Sequence, residues 1–183
     1  WLCPSWRENQ EATVKIAKDI LDNYEVDGLH LDYIRYPNSE VLIPYPCMCD
    51  ACRAQRMEWL GKEELDEDYL NMPGAVYKEI RWRNKCIRAV VEDIRRITKE
   101  RGLKLSMAAR AYYLKSAVVE GQDWVSWCRD CLLDIVSPMS YTTDFETFKG
   151  LLEQHIQLLK GCVPLFEGIG RSSSAGVQTP EEM

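Results

Sequence analysis

The segment DGLHLDYIRYP, from Asp27 to Pro37, carries the pattern from which the fold of this chain can be worked out. It follows an amphipathic helix, opens with an Asp-Gly step and continues as a short apolar run of strand-forming residues. The run ends in one carboxylate, Asp32, with Arg35 and Tyr36 close behind it. Polar groups at the carboxyl ends of parallel strands are where α/β enzymes keep their chemistry, so we expect a functional site here.

Helices and short apolar strands alternate along the chain. The spacing of apolar residues predicts helices over 11–24, 75–101, 124–131 and 145–160, and strands over 26–32, 104–109, 134–139 and 163–168. Strict alternation favours a parallel α/β sheet. No GxGxxG fingerprint opens a helix, so a (β/α)₈ barrel fits better than a dinucleotide fold, although a doubly wound sheet stays open on pattern alone. We expect one domain over 1–183, with a cysteine-rich excursion at about 37–71.

The composition limits the function classes. The chain has 183 residues, a net charge of −6 and 46% hydrophobic residues, which is typical of a soluble globular domain. Basic residues are interspersed with acids, so we expect no nucleic-acid partner. No apolar run approaches the roughly 18 residues of a membrane span. The chain starts at Trp1 and stops where TPEEM would begin a helix, so we expect a segment of a longer open reading frame.

Three cysteines, Cys47, Cys49 and Cys52, form the pattern C-x-C-x-x-C in the loop after the Asp32 strand. Thiols at this spacing can surround one soft cation, and structural Zn²⁺ takes four nitrogen or sulfur ligands. Cys3 is the best fourth ligand. The run Trp1 to Trp6 reads as the end of the strand before the Asp32 strand, which places Cys3 on the same rim of the predicted sheet. The alternatives are ordinary thiols, a disulfide or, less well supported, an iron–sulfur cluster. The zinc would be structural, since four thiolates leave no open position.

The two histidines suit this metal less well. His30 is inside a strand, and His155 is on a helix that leads to the opposite rim of the predicted sheet. Unpaired thiols favour a reducing compartment, so the sequence slightly favours a cytoplasmic protein. We predict buried free thiols at Cys86, Cys128, Cys131 and Cys162.

Taken together, the runs WLCPSW, YEVDGLHLDYIRYP and CMCDAC resemble the glycosyl-hydrolase-like family ten group and related barrel glycosidases. Three later runs also resemble this group. The helix after its fourth strand resembles RWRNKCIRAVVEDI, and the segment that leads to its sixth strand resembles GQDWVSWCRDCLLDIVSPMSYT. Its seventh strand resembles PLFEGIG. The resemblance implies a carbohydrate-active partial (β/α)₈ barrel, from the end of strand 3 to the start of helix 7.

The cysteine loop has a resemblance of its own. A proline beside a CxCxxC loop is similar to the zinc-bearing barrel β-galactosidases, whose fourth thiolate comes from the loop of the preceding strand. This resemblance supports the choice of Cys3 as the fourth ligand.

The resemblance also implies a mechanism. Glycoside hydrolysis needs one ionised and one protonated carboxyl group. In related barrel glycosidases a DGxxxD strand ends with the nucleophile, and Asp27, Gly28 and Asp32 match that pattern, so Asp32 is predicted as nucleophile or base. Many retaining enzymes have Glu where this chain has Arg110, so the acid is assigned to Glu167, because apolar surroundings favour a protonated carboxyl. Salt bridges are the structural alternative for both acids.

Further side chains fall on the predicted rim, where sugars could stack on aromatic rings or bind polar groups. We predict substrate contacts from Trp6, Arg35, Tyr36, Arg110, Tyr112, Tyr141 and Asp144, the last being a second choice of acid. The sequence therefore predicts a glycoside hydrolase that acts on an oligo- or polysaccharide. The alternatives are a non-catalytic carbohydrate-binding barrel and a zinc-organised interaction module.

Overall fold

The computed structural model describes residues 2–37, 47–63, 72–173, 176–177 and 179. Its elements, in chain order, are α1 (Arg7–Asn23), β1 (Gly28–Leu31), α2 (Asp50–Leu60), α3 (Pro73–Glu100), β2 (Lys104–Arg110), α4 (Tyr113–Val119), α5 (Trp124–Arg129), β3 (Ile135–Met139), α6 (Phe145–Leu159), β4 (Ser172–Ser173) and β5 (Gly176–Val177). Within these residues, no helix combines the length and the apolar character needed to cross a bilayer.

The main sheet is parallel, with strand order β1-β2-β3. The chain after α6 continues it, because Leu165 forms a parallel bridge with Val136 and the Phe166 amide donates to the Val136 carbonyl at 3.0 Å. The predicted mixed α/β architecture with parallel strands is therefore confirmed. Closure of this sheet into an eight-stranded barrel stays a prediction.

The two faces of this sheet differ in character. In a strand, successive side chains point to opposite faces. Four paired positions on one face are buried and apolar: Leu31, Leu105, Met107 and Val136. The opposite face, called the polar face below, carries His30, Ser106, Ser137 and Arg110, all at least partly exposed. On it, the His30 Nδ1 and Ser106 Oγ atoms are hydrogen-bonded at 2.8 Å.

The described residues form two compact units. The first comprises Trp1–Tyr24, Ile34–Ile94 and Lys115–Gln122, and the second comprises Glu25–Tyr33, Arg95–Leu114 and Asp123–Met183. The first unit holds the cysteine loop, whose buried core includes Cys52, Trp82 and Cys86. The second unit holds the sheet, and Trp124 and Trp127 are buried in it. The prediction of one domain over 1–183 remains untested.

The element bounds correct several predictions. Helix α1 begins at Arg7, not at 11, because Gln10 and Asn9 in its first turn donate to the carbonyls of Pro4 and Cys3. The sequence pattern did not indicate helix α4 or the antiparallel pairing of β4 with β5. Of the cysteine excursion, 47–63 contains α2, while 38–46 and 64–71 lie outside the described residues.

Two of the cysteines predicted as buried are in fact exposed, namely Cys131 and Cys162. Cys131 follows α5 with a φ of 59°, in the turn that ends the helix, and Cys162 follows α6. Both lie after helix ends, where the chain runs over the surface. Cys86 and Cys128 are buried, as predicted.

The Asp-Gly step has a direct structural reason. A Cβ atom at Gly28 would lie 2.3 Å from the Lys104 carbonyl oxygen, so β1 and β2 can approach only because Gly28 has no side chain. The Lys104 amide donates to the Asp27 carbonyl at 3.1 Å at the same point. Gly28 therefore sets the register that brings Asp32 to the end of β1.

An ion pair fixes the start of β3. Asp134 accepts hydrogen bonds from Arg95 at 2.5 and 3.1 Å and from the Leu105 amide at 2.9 Å. Burial acts to raise the pKa of Asp134, but the hydrogen bonds from Arg95 and Leu105 outweigh it and hold the pKa below its usual value. A carboxyl whose pKa is lowered by folding stabilises the folded state only while it is ionised.

We therefore expect Asp134→Asn to lower the free energy of unfolding at pH 7 by about 1–3 kcal/mol, the typical range for hydrogen bonds to a charged group. The loss should shrink as the pH falls from the unfolded-state pKa of about 4 through the lower folded-state pKa, because the wild-type carboxyl is progressively protonated over that range. Urea denaturation at pH 7 and pH 3 measures this. Asp130→Asn, which changes an exposed acid nearby, is the control, and equal losses at both pH values would contradict the assignment.

Candidate functional site

Four sulfur atoms of the first unit converge on one point. The Sγ atoms of Cys3, Cys47, Cys49 and Cys52 all lie within 4.8 Å of one another. Cys3 Sγ is 3.4 Å from Cys47 Sγ, 3.5 Å from Cys49 Sγ and 3.6 Å from Cys52 Sγ. These separations are far longer than the roughly 2.05 Å of a disulfide bond. The group could hold a metal ion, with the fourth ligand that the sequence predicted.

The geometry suits a tetrahedral ion. A tetrahedron with metal–sulfur bonds of about 2.3 Å has edges of roughly 3.8 Å, close to the sulfur separations found here. Two local structures hold the ligands in place: Cys3 precedes a turn closed by the Trp6 amide, and Cys49 is the N-cap of α2. A helix N-terminus favours a negatively charged thiolate, so the position of Cys49 is chemically consistent with metal ligation.

The thiols share their protons. A hydrogen bond from Cys52 is the main reason that the pKa of Cys3 falls to about 4, against an opposing effect of burial. The same hydrogen bond raises the pKa of Cys52, and burial raises the pKa of Cys47 to about 11. Without a metal, one thiolate is therefore held by neighbouring thiols. A divalent ion would replace their protons, so metal binding must release protons and weaken as the pH falls.

Asp32 lies in the second unit, one residue past the end of β1, and its side chain is exposed. Continuing the alternation of β1 places it on the polar face, after His30. Its Oδ1 atom accepts a hydrogen bond from the Tyr33 amide at 2.7 Å. Among the described residues, no ion pair involves this carboxylate. The salt bridge that the sequence offered as the alternative to a catalytic role is therefore not found there. Asp32 is therefore an accessible carboxylate at the carboxyl end of a parallel strand.

The backbone directly after Asp32 is strained. Tyr33 has a φ of 56°, in the left-handed region that residues other than glycine rarely adopt. Strain of this kind persists where the surrounding structure fixes the chain, and it is frequent at functional sites. The chain thus turns sharply directly after the residue whose carboxylate accepts the Tyr33 amide hydrogen bond.

Arg110 and Tyr141 extend the polar face. Arg110 is the last residue of β2, opposite Met139, and its carbonyl accepts a hydrogen bond from Trp124 Nε1. Tyr141 follows β3 and is 44% exposed. Its ring lies against a glycine backbone, because a Cβ at Gly170 would come 3.0 Å from it. An aromatic ring supported on one side in this way can offer its other side to a sugar.

Glu167 has a different environment from Asp32. Leu165 pairs with buried Val136, so alternation places Glu167 on the buried face of the sheet, opposite to the polar face. Its side chain is 7% exposed. Ser140 Oγ donates to one carboxyl oxygen at 2.6 Å, and His155 Nδ1 lies 2.6 Å from the other. The two predicted catalytic carboxyls are thus not on the same face.

One proton is held within the His155–Glu167 contact. His155 Nε2 lies 2.7 Å from the Ala111 carbonyl, which can only accept, so Nε2 carries a hydrogen. The hydrogen bond at Nδ1 then contains a second proton, either on His155 as an imidazolium or on Glu167 as a neutral carboxyl. His155 is completely buried beside Glu167, and among the described residues it does not join the cysteine cluster. Trp124 packs edge-on against it, with ring centroids 5.5 Å apart.

The remaining residues predicted to contact substrate lie in both units and differ in how exposed they are. Tyr112 is exposed in the second unit, whereas Tyr36 is buried in the first. Arg35 Nε lies 3.9 Å from Glu120, and both side chains are at least nine-tenths buried. Trp6, the N-cap residue of α1, is partly buried.

Asp144 is the N-cap of α6. Hydrogen bonds from the Thr147 side chain and from the Thr147 amide lower the pKa of Asp144, the reverse of what a general acid requires. The sequence offered Asp144 as a second choice of acid, and this environment gives that role no support.

Sequence reasoning missed a buried cluster next to the cysteines. Arg56 Nη1 donates to the Cys47 carbonyl at 2.7 Å, while Glu79 accepts from Arg56 Nη2 and from Arg83 Nε, each at 3.3 Å. These side chains are only 1–3% exposed. One signal was available, since Glu79 and Arg83 are four residues apart on a helix, but nothing in the pattern indicated that they are buried.

The sequence comparisons give one match. The profile of the family described as glycosyl hydrolase-like 10 matches residues 1–161. No curated protein matches the chain significantly. The matched range contains Asp32, Arg110, Tyr141 and the four clustered cysteines, whereas Glu167 and the hairpin β4–β5 follow it.

We expect the purified protein to bind one metal ion per chain through the cysteine cluster. The double variant Cys47→Ser/Cys49→Ser should lose the metal, because two hydroxyls replace two thiolates, and thermal stability should then no longer respond to a chelator. Elemental analysis and thermal unfolding measure both effects. Cys131→Ser, an exposed thiol outside the cluster, is the control. Equal metal content in both variants would contradict the site.

Proposed function

Because the chain belongs to the glycosyl hydrolase-like 10 family, we propose that it hydrolyses glycosidic bonds of an oligo- or polysaccharide, with Asp32 as the ionised nucleophile or base. The observation that carries the proposal is the accessible Asp32 carboxylate at the end of a parallel strand. In barrel enzymes this end of the sheet carries the catalytic groups.

Asp32 has the properties that this role requires. A carboxylate that attacks the anomeric carbon, or that activates a water, must be ionised and must face the substrate. Asp32 is solvent-exposed, and its Tyr33 hydrogen bond engages one of its two oxygens. The other oxygen can therefore face a sugar ring. Arg110 and Tyr141 lie on the same face and would bind hydroxyl groups and stack against the ring.

We propose zinc as the occupant of the cysteine cluster. Four sulfur ligands suit Zn²⁺ better than hard cations, which prefer oxygen. Bound there, the ion would supply cross-linking of the loop and no Lewis-acid chemistry, since all four positions are filled by Cys3, Cys47, Cys49 and Cys52. The chemistry on the substrate belongs to the chain's own side chains.

Glu167 is the residue that the sequence predicts as the general acid of the mechanism. The proton shared between Glu167 and His155 is one that a general acid could donate to a leaving group. However, both Glu167 oxygens are engaged, and the side chain faces away from the polar face. These contacts favour a positioning role, in which Glu167 ties the ends of β3 and α6 together through Ser140 and His155.

A second candidate function follows from the same geometry. The non-catalytic carbohydrate-binding barrel predicts that no second carboxyl shares a substrate with Asp32, and the opposite-face placement of Glu167 fits that expectation. Both functions predict glycan binding at the polar face, but only the hydrolase predicts turnover.

Asp32→Asn in the intact protein tests the main proposal. On a glycan panel we expect kcat/KM to fall by at least about 10³-fold, with ground-state binding retained, because the amide keeps the shape but cannot act as nucleophile or base. Asp19→Asn, an exposed acid on α1, is the matched control and should keep wild-type activity. Turnover by Asp32→Asn at the wild-type rate would refute the assigned role. Binding without turnover by the wild type would establish the second function.

The pair Glu167→Gln and Glu167→Ala separates an acid from a positioning residue. Glutamine can still bond to Ser140 and His155, so a positioning role predicts near wild-type activity and stability for Gln and losses of both for Ala. An acid predicts that Gln loses turnover on poor leaving groups but keeps it on activated aryl glycosides, which need no protonation. From the contacts of Glu167 we expect the first pattern, and the second would instead bear out the sequence prediction.

A further inference from the structure

The buried relay Arg56–Glu79–Arg83 joins the cysteine cluster to a second part of the first unit. Cys52 and Arg56 are four residues apart on α2, so their side chains share one helix face. Arg56 holds the Cys47 carbonyl at 2.7 Å and Glu79 at 3.3 Å, and the same Glu79 oxygen accepts from Arg83. The relay thus starts on the backbone of a metal ligand.

The far end of the relay reaches Tyr36. The Arg83 guanidinium carbon lies 5.1 Å from the centre of the Tyr36 ring, a cation–π distance. The Tyr36 amide donates to the Glu120 carbonyl at 2.8 Å, and a Cβ at Gly121 would come 3.2 Å from both the Tyr36 ring and the Arg83 carbonyl. Tyr36 and Gly121 therefore pack tightly around Arg83.

The charges of the relay complement the cluster. Two guanidinium groups and one carboxylate leave one excess positive charge, in side chains that are almost completely buried. A divalent ion with four thiolates would carry two excess negative charges beside it. Buried charge is tolerated where it is compensated, so an occupied cluster, with two excess negative charges, stabilises this arrangement of Arg56 and Arg83 more strongly than an empty cluster with a single thiolate.

We propose that Arg56 and Glu79 are positioning residues that transmit occupancy of the cysteine cluster to the segment Ile34–Pro37, which carries Arg35 and Tyr36. This inference rests on the metal centre proposed above and is independent of hydrolysis by Asp32. The metal then does more than fold its own loop: it sets the rigidity of the chain that follows the Asp32 turn in sequence.

The test is amide hydrogen exchange of the intact protein, with zinc bound and after its removal by a chelator. In the wild type, we expect metal removal to speed exchange of the Tyr36 amide by at least about tenfold. In Arg56→Met with zinc bound, exchange should already be fast, and metal removal should add little. If Arg56 were only structural, its replacement by Met would speed exchange of the Tyr36 amide equally with and without zinc. The ratio of the two exchange rates would then be unchanged.

Thermodynamic reciprocity gives a second readout. If the metal and the segment are coupled, ordering of the segment must strengthen zinc binding by the factor by which zinc slows its exchange, so we expect Arg56→Met, which removes the coupling, to weaken zinc binding by up to that factor. Competition with a chromogenic chelator measures this factor. Gln55→Ala, on the same helix and bonded to Glu58, is the control and should match the wild type. Should Arg56→Met fail to fold, Arg56→Lys keeps the charge but lacks the forked donor that joins the Cys47 carbonyl to Glu79, and it should lose part of the coupling.

Three results would overturn the inference. The first is that the Arg56 variants show the wild-type ratio of exchange rates without and with zinc. The second is that metal removal does not change exchange of the Tyr36 amide, and the third is that the wild-type protein binds no zinc. The last result would remove the metal centre as well, while the glycan assays on Asp32 would be unaffected.

Discussion

The alternation of side chains across a parallel sheet is the constraint on which the candidate site depends. Because successive residues point to opposite faces, one residue of register decides whether a carboxylate meets solvent or the buried face. Gly28 sets that register by allowing β1 to approach the Lys104 carbonyl, and Asp32 emerges on the polar face. The same rule, applied through the Leu165–Val136 bridge, places Glu167 on the opposite face.

The first unit depends on a different kind of interaction. Its cysteine loop has a small apolar core, consisting of Cys52, Trp82 and Cys86 with the other three clustered cysteines against it. A core of this size contributes little stability by burial alone. Charged hydrogen bonds from Arg56 add to it, and a metal ion held by the four thiols would add a cross-link. Polar contacts thus contribute much of the packing in the described part of the loop.

Much of this was readable in the sequence, and the reasons differ by residue. The parallel sheet and Asp32 follow from local periodicity. Cys3 was chosen because a strand was predicted to end there, ahead of the Asp32 strand, and the residues around Cys3 instead form an irregular segment and a turn before α1. Tyr36 was predicted as a substrate contact, but its burial depends on Arg83 and Gly121, which are distant in sequence. The pairing of His155 with Glu167 depends on how α6 lies over the strand ends, and no local pattern carries that information. Short-range signals fix elements, whereas buried polar partners are fixed only by tertiary packing.

The left-handed backbone of Tyr33 has a consequence for the stability of the second unit. A non-glycine residue in this conformation gives up roughly 1–2 kcal/mol of stability. Such a conformation persists only where the surrounding structure fixes the chain more strongly than the residue resists it. The sharp turn that follows Asp32 is therefore maintained by the rest of the fold, at a small loss of overall stability.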